Sequence, residues 1–421
     1  MSIPKKFTIA ALGCRTNQYE GQAFREQLQA MGCVEAKEGE KADICIVNTC
    51  TVTEGADSSS RAAIRQFVRE HEGAQVLVTG CFAERDPSSV LQIPGVTHLV
   101  SNKEKETLLA ALFPDQELPE FSICQFEAHT RAFVKVQDGC NSFCSYCIIP
   151  YVRGRSRSRG VQEIVREVEG LIQQGFQEVV LTGINIGDFD GADPRNPVRL
   201  AELVAAIDSI PGLQRLRISS IDPDEVDEPL IEAILLGRRT CPSLHLVLQS
   251  GSNVILKRMN RKYTRHVFLE SVARLRDRSP FFSFTTDVIV GFPGETEEDH
   301  QETLHVLEQV RFAKVHVFPY SDRPGTRASK MPGKISQEIL RRRKNEILQT
   351  AERSAFLLRS FLVGHRVEVL TEGREAGNRW IYGHTPHFLQ VGIESLNLLE
   401  NQIVTVECIA NTPSHLVGRI V

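Results

Sequence analysis

The chain has 421 residues, of which 41% are hydrophobic and 24% are charged, with a net charge of -4. This is ordinary globular composition with length for two or three cores, and a negative chain cannot bind nucleic acid through overall basicity, so any RNA contact must come from local patches. No run approaches the roughly 20 apolar residues of a membrane span and the N-terminus does not resemble a signal peptide, so we expect a cytoplasmic protein without membrane contact. Eleven cysteines then indicate metal sites or thiol chemistry rather than a disulfide framework.

Residues 1–115 alternate strand-like apolar runs with helical patterns, around 23–31 and over 58–71, which predicts an α/β domain with parallel strands and helical crossovers. Three of the apolar runs end at a cysteine, namely Cys14, Cys50 and Cys81. Ligands of open α/β sheets collect beyond the carboxyl ends of the strands, so these three cysteines can converge on one site. Their wide separation excludes a local zinc-knuckle motif and makes the site depend on the fold.

The rest of the chain is predicted to form a linker and two further domains. A polar, proline-containing stretch at 116–130 has linker character. Over 131–355, six buried-strand candidates alternate with helical stretches, which predicts a partial parallel (β/α)6 barrel whose working face lies at the carboxyl ends of its strands. A long charged helix is expected over 336–361. Five short strands after it predict a small β-barrel of the oligonucleotide-binding kind, assigned to 356–421.

The most specific motif is Cys140-Asn-Ser-Phe-Cys144-Ser-Tyr-Cys147, just after the first strand candidate of the second domain. Three thiolates at this spacing can wrap a loop around a [4Fe-4S] cluster and leave its fourth iron without a local ligand, which makes that iron a place for chemistry. A structural zinc site would need a fourth Cys or His at regular spacing, and the sequence up to Arg159 supplies none. Five cysteines without motif spacing are expected to be packing residues: Cys33, Cys45, Cys124, Cys241 and Cys408.

This cysteine spacing, with an aromatic residue before the last cysteine, resembles the radical S-adenosylmethionine superfamily. The resemblance implies that the open iron binds the amino and carboxylate groups of S-adenosyl-L-methionine and that reductive cleavage gives a 5'-deoxyadenosyl radical. Residues at later strand ends match the cofactor-binding surfaces of that superfamily, although any one glycine among them can equally serve only a tight turn. The set expected to bind the cofactor is Gly183, Ser219, Ser220, Asp222, Gln249, Ser250 and Gly291.

Over nearly its whole length the chain resembles the methylthiotransferases of this superfamily. The resemblance rests on ALGCRTNQYE, IVNTCTVT and VTGC in the first segment, on GCNSFCSYCIIPYVRGRSRSR in the second, and on a terminal barrel similar to a TRAM domain. It implies an auxiliary [4Fe-4S] cluster held by Cys14, Cys50 and Cys81. The residues after Cys14 and around Cys50 are most similar to the branch that acts on N6-threonylcarbamoyladenosine in tRNA. One departure is Asn185, where that branch is expected to carry histidine.

The resemblance also implies a reaction and its partners. One S-adenosyl-L-methionine would donate its methyl group to sulfur at the auxiliary cluster, a second would be cleaved at the other cluster, and a methylthio group would be added to C2 of the modified adenosine at position 37. No acid or base is required for this radical step, and the sequence shows no serine–histidine or paired-carboxylate signature. The expected partners are the anticodon stem-loop of a tRNA and an electron donor such as a flavodoxin or ferredoxin.

Local features indicate where RNA would bind. Four arginines after the cysteine motif alternate with Gly and Ser and are predicted to contact phosphates, unless some of them form structural ion pairs: Arg153, Arg155, Arg157 and Arg159. Trp380 and Tyr382 of the terminal barrel are predicted to stack on unpaired bases, with filling of the barrel core as the alternative for Trp380. The basic run at 341–344 is ambiguous, because charged helix faces are usually only solvated.

Three alternatives remain open at this point. Another methylthiotransferase branch, acting on N6-isopentenyladenosine in tRNA or on an aspartate of a ribosomal protein, would share every cysteine. A radical enzyme of different outcome would use the first cluster only to relay electrons. A non-catalytic RNA-binding protein with structural clusters would need neither the open iron nor S-adenosyl-L-methionine, but purely structural metal sites are normally closed by a fourth ligand.

Overall fold

A computed structural model describes residues 4–126, 130–374 and 379–421. The chain forms two compact units that are discontinuous in sequence. The first unit comprises residues 1–127, 138–157 and 321–329, and the second comprises 128–137, 158–320 and 330–421. The three boundaries expected from the sequence, after residues 115, 130 and 355, stay a prediction. Among the described residues, no helix is both long enough and apolar enough to span a bilayer.

The first unit is built on a five-stranded parallel sheet in the order β2-β1-β3-β4-β5. Its strands are β1 (Lys6–Ala11), β2 (Val34–Glu35), β3 (Ile44–Thr49), β4 (Gln75–Gly80) and β5 (His98–Leu99). Its helices are α1 (Arg15–Ala30), α2 (Glu54–Glu70), α3 (Cys81–Arg85), α4 (Pro87–Leu91) and α5 (Ile149–Val152), with a 3-10 helix at Lys105–Ala111. Parallel strands joined by helical crossovers confirm the fold predicted for this part of the chain.

Helices cover both faces of this sheet, because its central strands are apolar on both sides. Ile64 of α2 and Phe82 of α3 pack with Val78 on one face. Phe24 of α1 packs with Ile46 on the other. Strands buried on both faces are typical of parallel sheets and read as continuous apolar runs, which is why β3 and β4 could be recognised in the sequence.

The second unit contains a six-stranded, open parallel sheet in the order β13-β12-β11-β10-β9-β6, the predicted partial barrel. The strands from β6 onward are β6 (Arg131–Lys135), β7 (Gln137–Asp138), β8 (Arg157–Ser158), β9 (Glu178–Thr182), β10 (Arg215–Ile221), β11 (Thr240–Leu246), β12 (Ser283–Val290) and β13 (Lys314–Pro319). The helices are α6 (Val161–Gln173), α7 (Leu200–Asp208), α8 (Glu228–Leu236), α9 (Asn253–Arg258), α10 (Arg265–Arg278), α11 (Glu297–Val310) and α12 (Gln337–Ser360).

A closed five-stranded barrel follows α12, as the sequence predicted. Its strands are β14 (Arg366–Arg374), β15 (Trp380–His384), β16 (Gln390–Glu394), β17 (Ile403–Asn411) and β18 (Leu416–Ile420). Alternate side chains point inward and fill the interior, among them Val369, Ile381, Val391, Val406 and Leu416. Closure leaves this small sheet without a long unpaired edge.

Candidate functional site

The first unit carries three cysteines at the carboxyl ends of three neighbouring strands. Cys14 follows β1 and is the N-cap of α1, Cys50 follows β3, and Cys81 follows β4 as the first residue of α3. Because β1, β3 and β4 are adjacent in the sheet, their ends lie side by side. Cys14 is exposed, whereas Cys50 and Cys81 are buried. The structure thus brings the three cysteines to one sheet edge, where parallel sheets bind ligands.

Close packing joins the Cys14 loop to the Cys50 loop. Gly13 has a φ of +88°, and a Cβ at this position would lie 2.6 Å from the Cys50 Sγ. Asn17 Nδ2 donates hydrogen bonds to the Leu12 carbonyl at 2.6 Å and to the Thr49 carbonyl at 3.1 Å. Only glycine fits beside the Cys50 thiol, and the buried amide fixes one loop to the other.

A second set of hydrogen bonds joins the end of β3 to Cys81. Thr49 Oγ1 donates to the Thr79 carbonyl at 2.6 Å and accepts from the Ala83 amide at 3.1 Å. Ser60 Oγ of α2 accepts from the Cys50 amide at 3.1 Å and donates to the Cys50 carbonyl at 2.9 Å. These buried polar contacts hold the backbone of both cysteines in place.

The three thiols influence one another electrostatically. The pKa of Cys50 is raised to about 11, chiefly by burial and also by Cys14 and Cys81, while a hydrogen bond from the Val52 amide lowers it. Burial also raises the pKa of Cys81, and the guanidinium of Arg153 opposes that shift. Thiolates are the form that binds metal, so a metal or cluster bound at this edge would displace the thiol protons. Three convergent thiols with one exposed member fit a cluster that keeps an accessible iron.

The second set of cysteines lies in a loop of the same unit. Cys144 is buried, and Cys140 and Cys147 are partly exposed. The Cys147 amide donates to the Cys144 carbonyl at 3.1 Å, and α5 begins two residues after Cys147. Gly139 enters the loop with a φ of +72°, and a Cβ there would lie 2.1 Å from the Arg155 carbonyl oxygen. The loop before α5 therefore requires glycine at its start.

The predicted RNA contact of Arg153 is wrong. Its side chain is fully buried, so it has no surface to offer a phosphate. Its Nε donates to Cys81 Sγ at 3.2 Å, its Nη1 to Asp138 Oδ1 at 2.7 Å and to Glu20 Oε1 at 3.2 Å, and its Nη2 to Asn17 Oδ1. The ion-pair alternative considered from the sequence describes this residue, since a buried guanidinium needs buried counter-charges.

The other three arginines of the strip lie nearer the surface, and their RNA contacts stay a prediction. Arg155 is exposed, with its guanidinium 4.4 Å from the centroid of the Phe143 ring. Arg157 is about half exposed, and Arg159 is partly buried and pairs with Glu167 at 2.6 Å. A guanidinium stacked on an aromatic ring is rigid and can still bind a phosphate.

Within the second unit, two predicted cofactor residues carry buried oxygen atoms without a hydrogen-bond partner. They are Ser219 Oγ, in β10, and Gln249 Oε1, just after β11, a finding that concerns the described part of the chain. Gln249 also has a φ of +62°. A buried polar atom without a partner and a strained non-glycine backbone both mark functional sites. These two oxygens fit a polar ligand such as S-adenosyl-L-methionine.

Three of the remaining predicted cofactor residues, Asp222, Ser250 and Gly291, have polar partners inside the protein. A Cβ at Gly183 would lie 2.8 Å from Gln137 Oε1, so this position has no room for a side chain. Asp222 forms an ion pair with Arg261. The other three positions lie at or near strand ends of the same sheet. Ser220 is the second-last residue of β10 and is partly exposed, the Ser250 hydroxyl lies 3.4 Å from the Thr303 hydroxyl, and the Gly291 amide donates to Glu295 Oε2 at 2.8 Å. Their contacts with the cofactor stay a prediction.

In the first unit, three buried side chains around Arg153 were not predicted as functional candidates: Lys105, Glu20 and Asp138. Lys105 Nζ contacts Glu20 at 2.5 Å and Asp138 at 3.0 Å, and all three are buried. Glu20 and Asn17 lie in the ALGCRTNQYE motif, and that position was the available signal. No motif around Lys105 or Asp138 indicated a functional role for either residue.

In the terminal barrel, the two aromatic residues predicted to stack on RNA meet one histidine. The centroids of Trp380 and Tyr382 lie 6.1 and 5.3 Å from that of His415. Both aromatic side chains are partly exposed. Trp380 therefore does not fill the barrel core, and base stacking by this pair stays a prediction.

Comparison with known proteins agrees with this arrangement. Residues 134–307 match the family model of the radical SAM superfamily, and residues 6–101 match that of the uncharacterized protein family UPF0004. The chain is 46% identical over 418 residues to threonylcarbamoyladenosine tRNA methylthiotransferase MtaB of Chlamydia pneumoniae, covering 99% of this chain and 98% of that one. The MtaB protein of Bacillus subtilis is 33% identical, covering 94% and 92%.

Two other similarities place the chain more broadly. The tRNA-2-methylthio-N(6)-dimethylallyladenosine synthase of Desulfitobacterium hafniense is 35% identical, covering 89% of this chain and 88% of that one. The solved structure of the radical S-adenosylmethionine methyltransferase TsrM of Kitasatospora setae aligns with a TM-score of 0.56 at 14% identity, covering 74% and 72%. That second similarity shows a shared fold.

The superfamily match identifies an enzyme that binds S-adenosyl-L-methionine and carries [4Fe-4S] clusters. The relatives that align over nearly the whole chain are all named as enzymes that add a methylthio group to tRNA. The chain belongs to the methylthiotransferase family of radical S-adenosylmethionine enzymes.

Proposed function

We propose that this protein adds a methylthio group to C2 of N6-threonylcarbamoyladenosine at position 37 of tRNA. The observation that carries the proposal is the convergence of Cys14, Cys50 and Cys81 at three adjacent strand ends, in a unit that also contains the Cys140–Cys147 loop. A radical enzyme that only cleaves S-adenosyl-L-methionine needs one three-cysteine set, whereas sulfur insertion needs a second. The 46% identical relative named for the threonylcarbamoyl substrate supports this branch.

The two cysteine sets take different roles in this proposal. Cys140, Cys144 and Cys147 hold the cluster whose open iron binds S-adenosyl-L-methionine, and Cys14, Cys50 and Cys81 hold the auxiliary cluster. When bound, these groups supply the reducing electron, the radical and the methylated sulfur. The protein's part is to orient both thiol sets and to keep them separately accessible.

Residues of the second unit orient the cofactor in this proposal. Ser219 Oγ and Gln249 Oε1 can accept hydrogen bonds from its amino, ribose or adenine groups, because neither atom has a partner among the described residues. The bare backbone at Gly183 can approach a ligand closely. The proposal assigns supporting contacts to Ser220, Asp222, Ser250 and Gly291.

The tRNA is held by surface residues in this proposal. Arg155, Arg157 and Arg159 contact phosphates, and Trp380 with Tyr382 stacks on bases of the anticodon stem-loop. A flavodoxin or ferredoxin supplies electrons. The cytoplasm, where tRNA and such carriers are found, is the proposed location.

The decisive experiment is mass spectrometry of tRNA nucleosides from cells that lack this protein, with and without the gene restored. We expect 2-methylthio-N6-threonylcarbamoyladenosine to disappear and to return with the gene. A gene with Cys81→Ala should not restore it, and one with Cys124→Ala, an exposed cysteine outside both sets, should. Persistence of that nucleoside in the deletion strain would overturn the substrate assignment.

The second candidate substrate is N6-isopentenyladenosine at the same tRNA position. Relatives named for the dimethylallyl product reach 35% identity, and Asn185 stands where the threonylcarbamoyl branch is expected to carry histidine. Loss of the 2-methylthio derivative of isopentenyladenosine from the deletion strain would select this candidate. The same nucleoside digest measures both products.

A further inference from the structure

Arg153 is one of the largest fully buried side chains of the protein. Its Nε–H is directed at Cys81 Sγ, 3.2 Å away, while its two terminal nitrogens bind Asn17, Glu20 and Asp138. The guanidinium therefore divides its donors between a sulfur atom and oxygen atoms. Lysine could not reproduce this, because its ammonium group is a point charge without a planar fork.

The charges around Arg153 balance without the sulfur. Lys105 Nζ binds Glu20 Oε1 at 2.5 Å and Asp138 Oδ2 at 3.0 Å. Two buried cations thus meet two buried carboxylates, and the half-exposed Arg157 lies 3.9 Å from Asp138 at the edge of this group. The ion pairs use Nη1, whereas Nη2 donates to the neutral Asn17 amide oxygen and Nε–H is directed at the Cys81 sulfur. A donor held this way is positioned before any ligand binds.

Arg153 also links the two cysteine sets through the chain. It lies just after α5, on the segment that begins with Cys140–Cys147, and its guanidinium ends at Cys81. Its partner Asn17 Oδ1 lies 3.7 Å from Cys14 Sγ. One side chain thereby contacts Cys81 directly and Cys14 through Asn17, and both contacts lie within the first unit.

We propose that Arg153 is a positioning residue of the auxiliary cluster: its Nε–H donates to the Cys81 thiolate and raises the reduction potential of that cluster. This proposal rests on the proposed function, in which Cys81 is a cluster ligand. Hydrogen bonds to cluster sulfurs and nearby positive charge stabilise the more negative, reduced state. The same contact holds the Cys140–Cys147 segment against the auxiliary site.

The test uses the full-length chain with Cys140, Cys144 and Cys147 changed to Ala, so that the auxiliary set alone can carry a cluster. After reconstitution with iron and sulfide, a redox titration followed by electron paramagnetic resonance gives the midpoint potential. We expect R153Q to shift it to a more negative value and R153K to shift it less. R155Q, which changes a neighbouring exposed arginine of the same segment, should leave it unchanged.

Each outcome separates this inference from the proposed function. If R153Q retains its iron and has the parent's midpoint potential, the role of Arg153 is wrong and the cysteine assignment stands. If the parent variant assembles no cluster, the cysteine assignment fails and the role of Arg153 fails with it.

A second measurement needs no substitution at Arg153 and so does not depend on how such a variant folds. The parent variant is labelled with 15N-arginine, reduced, and studied by pulsed electron paramagnetic resonance. We expect a weakly coupled arginine nitrogen from the N–H···S contact. Absence of that coupling overturns the hydrogen bond, and its presence supports it.

Discussion

Asn185 Nδ2 donates a 2.7 Å hydrogen bond to Glu225 Oε1 inside the second unit. The carboxylate is also confined by Gly187, where a Cβ would lie 2.0 Å from Glu225 Oε2. The pKa of Glu225 is raised to about 7, chiefly by burial and also by the negative charge of Asp222, while the hydrogen bond from Asn185 lowers it. The residue that departs from the expected branch pattern thus holds a carboxyl group that titrates near neutral pH.

This carboxyl makes stability depend on pH. Its pKa rises from 4.5 when unfolded to about 7 when folded, so its contribution is fully present below pH 4.5 and is lost as the pH rises through 7. The shift corresponds to roughly 3 kcal/mol. We expect E225Q to be more stable than the parent at pH 8 and to lose this pH dependence, as measured by urea unfolding at pH 5.5 and pH 8.

The control for that prediction is E232Q, which changes an exposed carboxylate of α8. It should leave the pH dependence of the unfolding free energy as it is in the parent. Equal pH dependence in E225Q and the parent would show that Glu225 is ionised in the folded protein over this range.

Substitutions in the two cysteine sets are expected to abolish different products. Cys144→Ala should abolish 5'-deoxyadenosine formation, because the open-iron cluster is lost. Cys50→Ala should abolish the methylthio product and retain part of the cleavage. Liquid chromatography of the small-molecule products and of digested tRNA measures both quantities, with Cys124→Ala as the reference. Methylthio product formed by the Cys50 variant would remove that residue from the auxiliary site.

Gly139→Ala is expected to disrupt the loop that carries Cys140. Gly139 combines a φ of +72° with a carbonyl oxygen 2.1 Å from any Cβ, so the loop must move in addition to bearing backbone strain of about 1–3 kcal/mol. Iron bound at the Cys140–Cys147 set should fall, as measured in a variant that lacks Cys14, Cys50 and Cys81.

Gly73→Ala is the matched control for this loop. Gly73 has a φ of +87° in the same unit, with nothing within 4 Å of an added Cβ. It should cost about 1 kcal/mol of stability and leave the iron content intact. Equal iron content in the Gly139 and Gly73 variants would show that the loop tolerates the side chain.

Arg155 and Arg157 are expected to contribute affinity for tRNA through phosphates. R155A and R157A should each weaken binding at low salt and reduce the slope of log affinity against log salt by about 1. Fluorescence anisotropy with a labelled anticodon stem-loop at several salt concentrations measures this. R69A, which removes an exposed arginine of α2, provides the comparison. An unchanged slope in R155A and R157A would remove both residues from the RNA surface.

The convergence of Cys14, Cys50 and Cys81 could be predicted from the sequence, because the strands that precede them are neighbours in the sheet. β1, β3 and β4 could be recognised as apolar runs, each ends at a cysteine, and parallel topology brings their carboxyl ends together. The start of α1 was missed, because the helix begins at Arg15 and not near Ala23. Its first turns bury polar residues such as Asn17 and Glu20, which conceal the apolar periodicity on which the prediction relied.

Long-range ion pairs could not be predicted from the sequence. Arg153 resembles its neighbours Arg155 and Arg157, and its burial follows from Glu20 and Asp138, which reach it from other elements. The same holds in α12, where Arg343 is buried against Glu295 at 2.7 Å while Arg341 beside it is exposed. A basic run in a sequence does not reveal which of its members meets a buried carboxylate.

The two cysteine sets differ in how much of the fold must exist before each can capture iron. Cys140, Cys144 and Cys147 lie on one short loop, so a nascent or partly folded chain already has them close together. Cys14, Cys50 and Cys81 meet only after β1, β3 and β4 have paired, because each arrives on a different crossover. Under the proposed assignment we therefore expect an order of maturation, in which iron binds the strand-end set only after the N-terminal sheet has formed.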